Sequence, residues 1–151
     1  VAVKRKHRNT WLPVIAAGGI ASAEQVNALL AMGAAGVSVG TALLTTAESS
    51  ACDAHRYYAE FGTACDTVLT RIYNGRLSRV LRNALVEALD DWELMTAGYP
   101  AQKALKGPLD RCASEVGRND LVMLPLGQSA GRSAYRRTAD CVHALFPRRA
   151  D

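Results

Sequence analysis

Val14 to Ser22 reads VIAAGGIAS, and the fold turns on this stretch. An apolar run of small and β-branched residues halts at two glycines and restarts at a serine. Taken from Leu12, LPVIAA is a continuous apolar run closed by glycine, the pattern of a strand buried on both faces. Ser22 is suited to cap a helix, and Gln25 stands three residues on, where the partner of a capping box belongs. Val26, Leu29 and Leu30 recur at helical spacing, and Gly33 is placed to end the helix. AAGVSVGTALL (residues 34–44) follows at once and predicts a second buried strand carrying Gly36 and Gly40. Strand, short helix, strand is a βαβ unit, so its two strands should be parallel neighbours.

Glycines at both strand ends carry a chemical implication. Where no side chain intervenes, backbone N–H groups can approach an anion, and a helix N-terminus adds its dipole. Gly18-Gly19 and Gly40-Thr41 would form the two lips of such a pocket, with the Thr41 hydroxyl as an additional donor; the alternative is that these glycines only ease strand-to-helix packing. In (β/α)₈ barrels a phosphate pocket of this kind is built by the loops after the seventh and eighth strands.

Outward from this unit the texture changes. Residues 1–10 are basic, with Lys4, Arg5, Lys6, His7 and Arg8; no aromatics interleave the charges, so a solvated end is expected rather than a nucleic-acid arm. Beyond a polar stretch (residues 45–53), DTVLTR (66–71) is β-prone and Asn74-Gly75 signals a turn. Ser78 should start a long helix with Leu81, Leu85, Leu89 and Trp92 on one stripe, broken at Gly98-Tyr99-Pro100. Gly107-Pro108 should begin another helix, ended by Gly117. LVMLPLGQSAG (121–131) reads as a loop, and a last helix is expected over 133–146, before Pro147. Three segments result: a basic start (1–10), the βαβ unit (11–50) and a mostly helical extension (51–151).

The totals fit one ordinary domain: 151 residues, 49% hydrophobic, net charge +4 with histidine neutral. Disorder is excluded, and no apolar run approaches a membrane span. Arginines dispersed among acids give no sign of nucleic acid as a partner. Of these, Arg71, Arg76, Arg79 and Arg82 could hold an anionic partner, but a solvated face is the better expectation. Cys52, Cys65, Cys112 and Cys141 show no CxxC pairing, so reduced, mostly buried thiols in a cytoplasmic protein are expected. The charged start, with no apolar segment and cleavage site after it, gives no sign of a signal peptide. Cys52-x-x-His55 with Cys141-x-His143 matches no common zinc template, and no metal site is expected.

VIAAGGIASAEQVNALLAMGAAGVSVGTALLTTAES resembles the last βαβ unit of the nitronate monooxygenase family (2-nitropropane dioxygenase-like), which are FMN-dependent TIM-barrel flavoproteins. DTVLTRIYNGRLSRVLRN (66–83), GYPAQKAL around Tyr99-Pro100 and LGQSAG around Gln128 are similar to the family's segments after the barrel closes. The order holds from Leu12 to Phe146. The resemblance implies an α/β fold: the C-terminal part of a (β/α)₈ barrel followed by a helical extension, an incomplete barrel on its own. It implies FMN-phosphate contacts at Gly19 and at Ser38, Val39, Gly40 and Thr41, with Gly18 as neighbour and Gln128 approaching the flavin or substrate side. Position 38 is often glutamine in the family, and Pro125-Leu126 stands where tryptophan-alanine commonly precedes the GQ pair. The family's glycine-rich AGGH-type motif, which supplies the catalytic histidine, has no counterpart here, so no catalytic residue is assigned.

The implied activity is oxidation of alkyl nitronates by O₂, with this chain, as a truncated product, supplying the FMN phosphate cradle. The missing barrel half or a second copy would be its partner. The alternatives are a flavin-dependent enoyl-[acyl-carrier-protein] reductase, which shares similar GGI…GT and GQ segments, and a non-catalytic phosphate-binding module.

Overall fold

The computed structural model describes residues 5–7, 10–132 and 134–147, with the backbone alone described at 5–7, 10 and 11. The run expected as one strand from Leu12 is divided. Thr10–Leu12 (β2) pairs antiparallel with Arg5–His7 (β1), and Ile15–Ala17 is a separate strand, β3. Pro13 lies between them, and proline gives no N–H to a ladder. The basic start therefore carries a strand at 5–7, while residues 1–4, 8 and 9 lie outside the described residues.

The βαβ unit forms as its sequence dictates. Helix α1 spans Ala23–Ala31 and strand β4 spans Gly36–Ser38, parallel to β3 with Ile15 opposite Gly36 and Ala17 opposite Ser38. Ser22 Oγ accepts from the Gln25 amide at 3.4 Å, while Gln25 Oε1 accepts from the amides of Ser22 at 3.1 Å and Ala21 at 2.7 Å. Three otherwise orphaned donors are satisfied by this reciprocal cap. Gly33, at φ +93°, turns the chain out of α1.

Burial on both faces is not what the two strands have. Ile15 is 55% exposed, and among the described residues β3 and β4 pair only with each other. The one covered side lies toward α1 and a C-terminal helix, α5 (Thr138–Leu145), where Ile20, Val26 and Ala42 pack on Cys141 and Leu145.

The remainder is built around a second strand pair. Helix α2 (Asp53–Phe61) precedes β5 (Thr67–Thr70), which pairs antiparallel with β6 (Ser78–Leu81). The helix expected from Ser78 is thus a strand over its first turn. Helix α3 starts only at Ala84 and ends at Leu89, capped by Asn83, whose side chain accepts from the Val86 amide at 3.2 Å. A 3-10 segment over Asp90–Met95 carries the chain on. The helix expected from Gly107 instead begins earlier, as α4 (Ala101–Glu115), with Pro108 inside it; Gly117, at φ +72°, lies just past its end. Pro108 removes one interior hydrogen bond. Tertiary packing holds the helix on both sides of that gap, through buried Lys106 and Ala113. Lys106 pairs with Asp110 and stands over the Tyr73 ring, 4.6 Å from its centroid. The last helix starts at Thr138, later than expected, after Arg137. The thiols are all free, but only Cys141 is buried; Cys65 and Cys112 are exposed.

Candidate functional site

The strand ends of β3 and β4 meet as the glycines require. Gly18 at φ +96° and Gly19 at φ +71° occupy the left-handed region that disfavours a side chain. A cavity of about 240 Å³ opens between Gly18-Gly19-Ile20 on one side and Ser38-Val39-Gly40-Thr41 on the other. A Cβ added at Gly18, Gly19 or Gly40 would meet nothing within 4 Å, so it would stand in open space at the wall of this niche. The amides of Gly19, Ile20, Gly40 and Thr41 have no acceptor among the described residues. Donors without acceptors around a glycine-walled hollow suit an oxyanion.

Thr41 is oriented from far along the chain. Its Oγ1 accepts the Gly127 amide at 2.9 Å, which leaves the hydroxyl proton for a ligand. Gly127 and Ser129 line the niche, whereas Gln128 between them is exposed and does not. Gly127 was not singled out by the sequence reading, and it cannot be replaced cheaply: a Cβ there would lie 2.9 Å from Thr41 Oγ1. The signal was present in the glycine of LGQSAG, one position before the glutamine.

A buried histidine holds the Gly127 segment. His55, on α2, donates from Nε2 to the Pro125 carbonyl at 2.7 Å. Burial pushes its pKa down, with the Pro125 bond opposing, so the ring is neutral at neutral pH. The next residue, Arg56, grips the other lip from outside, its guanidinium donating to the carbonyls of Thr46, Ser49 and Ala51. Two consecutive side chains of α2 thus fix the segments that follow Thr41 and precede Gly127. Thr45 Oγ1 adds a tie to residue 135, donating to the Tyr135 carbonyl at 3.0 Å. Of the four arginines noted in sequence, Arg71, Arg76 and Arg82 are exposed, and Arg76 lies 3.8 Å over the Tyr99 ring. Arg79 alone among them is half-buried.

The nitronate monooxygenase family profile matches residues 2–145. The chain belongs to the nitronate monooxygenase family. Probable nitronate monooxygenases of Staphylococcus aureus, from strain Newman and strain JH9, are 36% identical over 118 residues, covering 78% of this chain and 33% of theirs. The chain therefore spans about a third of the length of these family members. Among solved structures, nitroalkane oxidase from Streptomyces ansochromogenes superposes with a TM-score of 0.79 at 33% identity, covering 89% of this chain and 38% of that one. FabK from Thermotoga maritima superposes with a TM-score of 0.72 at 28% identity, covering 92% and 44% respectively. This is an α/β fold like that of the nitroalkane oxidase. Among the described residues, no helix is long and apolar enough to cross a membrane.

Proposed function

We propose that this chain is the FMN phosphate-binding part of a nitronate monooxygenase barrel, acting in the oxidation of alkyl nitronates by O₂. The observation that carries the reading is the niche between Gly18-Gly19 and Gly40-Thr41, whose free amides and open glycine wall fit a phosphate group. Gly19, Ile20, Gly40 and Thr41 would hold that phosphate by their N–H groups and the Thr41 hydroxyl, with Gly18, Ser38 and Val39 shaping the wall. Gln128, being exposed, would meet the flavin or substrate side rather than the phosphate. Bound FMN would supply the electron transfer from nitronate to oxygen. This chain's residues would bind and orient; among the described residues, none that lines the niche is a base.

The open edges of β3 and β4 and the exposed Ile15 support a further part of this reading. A parallel pair is normally covered on both faces and continued by more strands. The remaining strands of a TIM barrel would cover it, supplied by the missing barrel half or by a second copy, in a cytoplasmic enzyme. Nucleic acid and membrane have no place in it.

Titration with FMN, followed by flavin fluorescence, tests the reading. Gly40 has a negative φ, so Gly40→Ala should fold normally and weaken FMN by about tenfold or more through the methyl placed at the niche. FMN affinity unchanged by Gly40→Ala would overturn it. The likeness to FabK favours one second reading, a flavin-dependent enoyl-[acyl-carrier-protein] reductase. Turnover of a nitronate against an enoyl thioester with NAD(P)H, measured with the barrel completed, separates the two. Binding of phosphate without flavin would point to a non-catalytic module instead.

A further inference from the structure

A second cavity, of about 290 Å³, adjoins the niche and shares Gly40, Thr41 and Gly127 with it. Its lining differs in kind. Among the described residues the niche is lined by no charged side chain, while the second cavity has Arg79, from β6. Arg79 donates from Nη1 to Thr67 Oγ1 at 2.9 Å and forms no ion pair with a carboxylate among the described residues. A half-buried guanidinium without a counter-charge is an arrangement that favours an incoming anion. His55, pinned by the Pro125 carbonyl, forms a fixed neutral wall beside it, and Leu44, Pro125 and Leu126 supply an apolar one.

We propose that this cavity binds a small carboxylate-like organic oxyanion, with Arg79 as its charge partner and the Leu44–Pro125–Leu126 wall receiving its alkyl part. The guanidinium fork matches two oxygens on one planar centre. A nitronate presents two oxygens on planar nitrogen as a carboxylate does on carbon, so the site would accept the substrate class proposed above. In that respect the inference rests on the proposed function. Arg79 is then a specificity-determining residue that favours the anionic nitronate over a neutral nitroalkane.

Titrating the full chain with propionate, a stable carboxylate of suitable size, tests the assignment. The Arg79 Nε–H resonance and the affinity are the readouts, and inorganic phosphate is titrated in parallel. Propionate should shift the Arg79 resonance. Arg79→Gln should weaken propionate by about tenfold or more, Arg79→Lys by less, and neither should alter phosphate affinity beyond about twofold. Arg82→Gln, at an exposed position, should change nothing, and circular dichroism checks that each variant folds. Equal propionate affinity in Arg79→Gln, or no propionate binding up to tens of millimolar while phosphate binds, would overturn the subsite and leave the niche standing. Phosphate lost together with propionate in Arg79→Gln would also overturn it, by making Arg79 part of the niche. Failure of phosphate alone, with Arg79-dependent propionate binding intact, would uphold the subsite and remove the phosphate reading.

Discussion

The two central strand pairs of this molecule differ in how they are finished. β5 and β6 run antiparallel, joined by residues 71–77, and Ile72, Val80 and Val86, in and beside the pair, are fully buried. β3 and β4 run parallel, and Ile15, the first residue of its strand, is more than half exposed. An antiparallel pair can be joined locally and can leave one face to water; a parallel pair needs a crossover and cover on both faces. The first pair has its core within this chain. The second has α1 and α5 on one side and, among the described residues, no strand beyond its own two, although the glycine-walled niche opens at its end.

Truncating one apolar side chain at each strand pair gives the sharpest contrast. Ile72→Ala should cost about 2–5 kcal/mol in urea unfolding, since its side chain is wholly enclosed. Ile15→Ala should cost less than about 0.5 kcal/mol. Comparable losses at the two sites would break the contrast and mean that the β3 face is covered in solution. The glycines sharpen it further. Gly75 and Gly18 both have positive φ, but a Cβ at Gly75 would lie 2.5 Å from the Ala97 carbonyl oxygen, whereas one at Gly18 meets nothing. Gly75→Ala should therefore unfold at lower urea than Gly18→Ala, whose cost should stay near the conformational penalty of about 1–2 kcal/mol.

A smaller effect is expected at the cap of α1. Ser22→Ala should cost about 1 kcal/mol in thermal or urea unfolding, because the Gln25 amide loses its acceptor. The smallest concerns pH. Burial holds the folded pKa of His55 below 6.5. Between that depressed value and 6.5 the unfolded chain binds more protons, so stability falls as pH drops through this window and then levels off. His55→Gln should flatten that part of the profile when urea midpoints near neutrality and at about pH 5 are compared. A profile identical to the parent's would show that His55 is not kept neutral by the α2–Pro125 packing.

What the sequence disclosed follows the range of the forces involved. The capping box of α1, the parallel order of β3 and β4, and the meeting of Gly18-Gly19 with Gly40-Thr41 were legible, because each depends on neighbours in the chain or on one right-handed crossover. The Leu81-Leu85-Leu89-Trp92 stripe misled because i, i+4 spacing does not show that Leu81 is already paired with Thr67 across β5. Asn83, a preferred cap, marked the true start of α3. Pro108 misled for the converse reason: proline favours a first turn, but Lys106 and Ala113 bury α4 firmly enough to carry it through. Gly127 was visible only as the glycine of LGQSAG, and Arg79 only as one of four arginines, because their placement beside Thr41 depends on contacts that chain order does not show, such as the bond from Gly127 to Thr41, 86 positions apart.

That bond has a consequence for anyone who would transplant the glycine-tipped unit into another scaffold. Moving residues 12–44 alone would carry both glycine lips and leave behind the clasp that aims the threonine. The graft would look complete by its motif and still grip its guest poorly, unless the short stretch from Pro125 to Ser129, with the α2 histidine that braces it, travelled along.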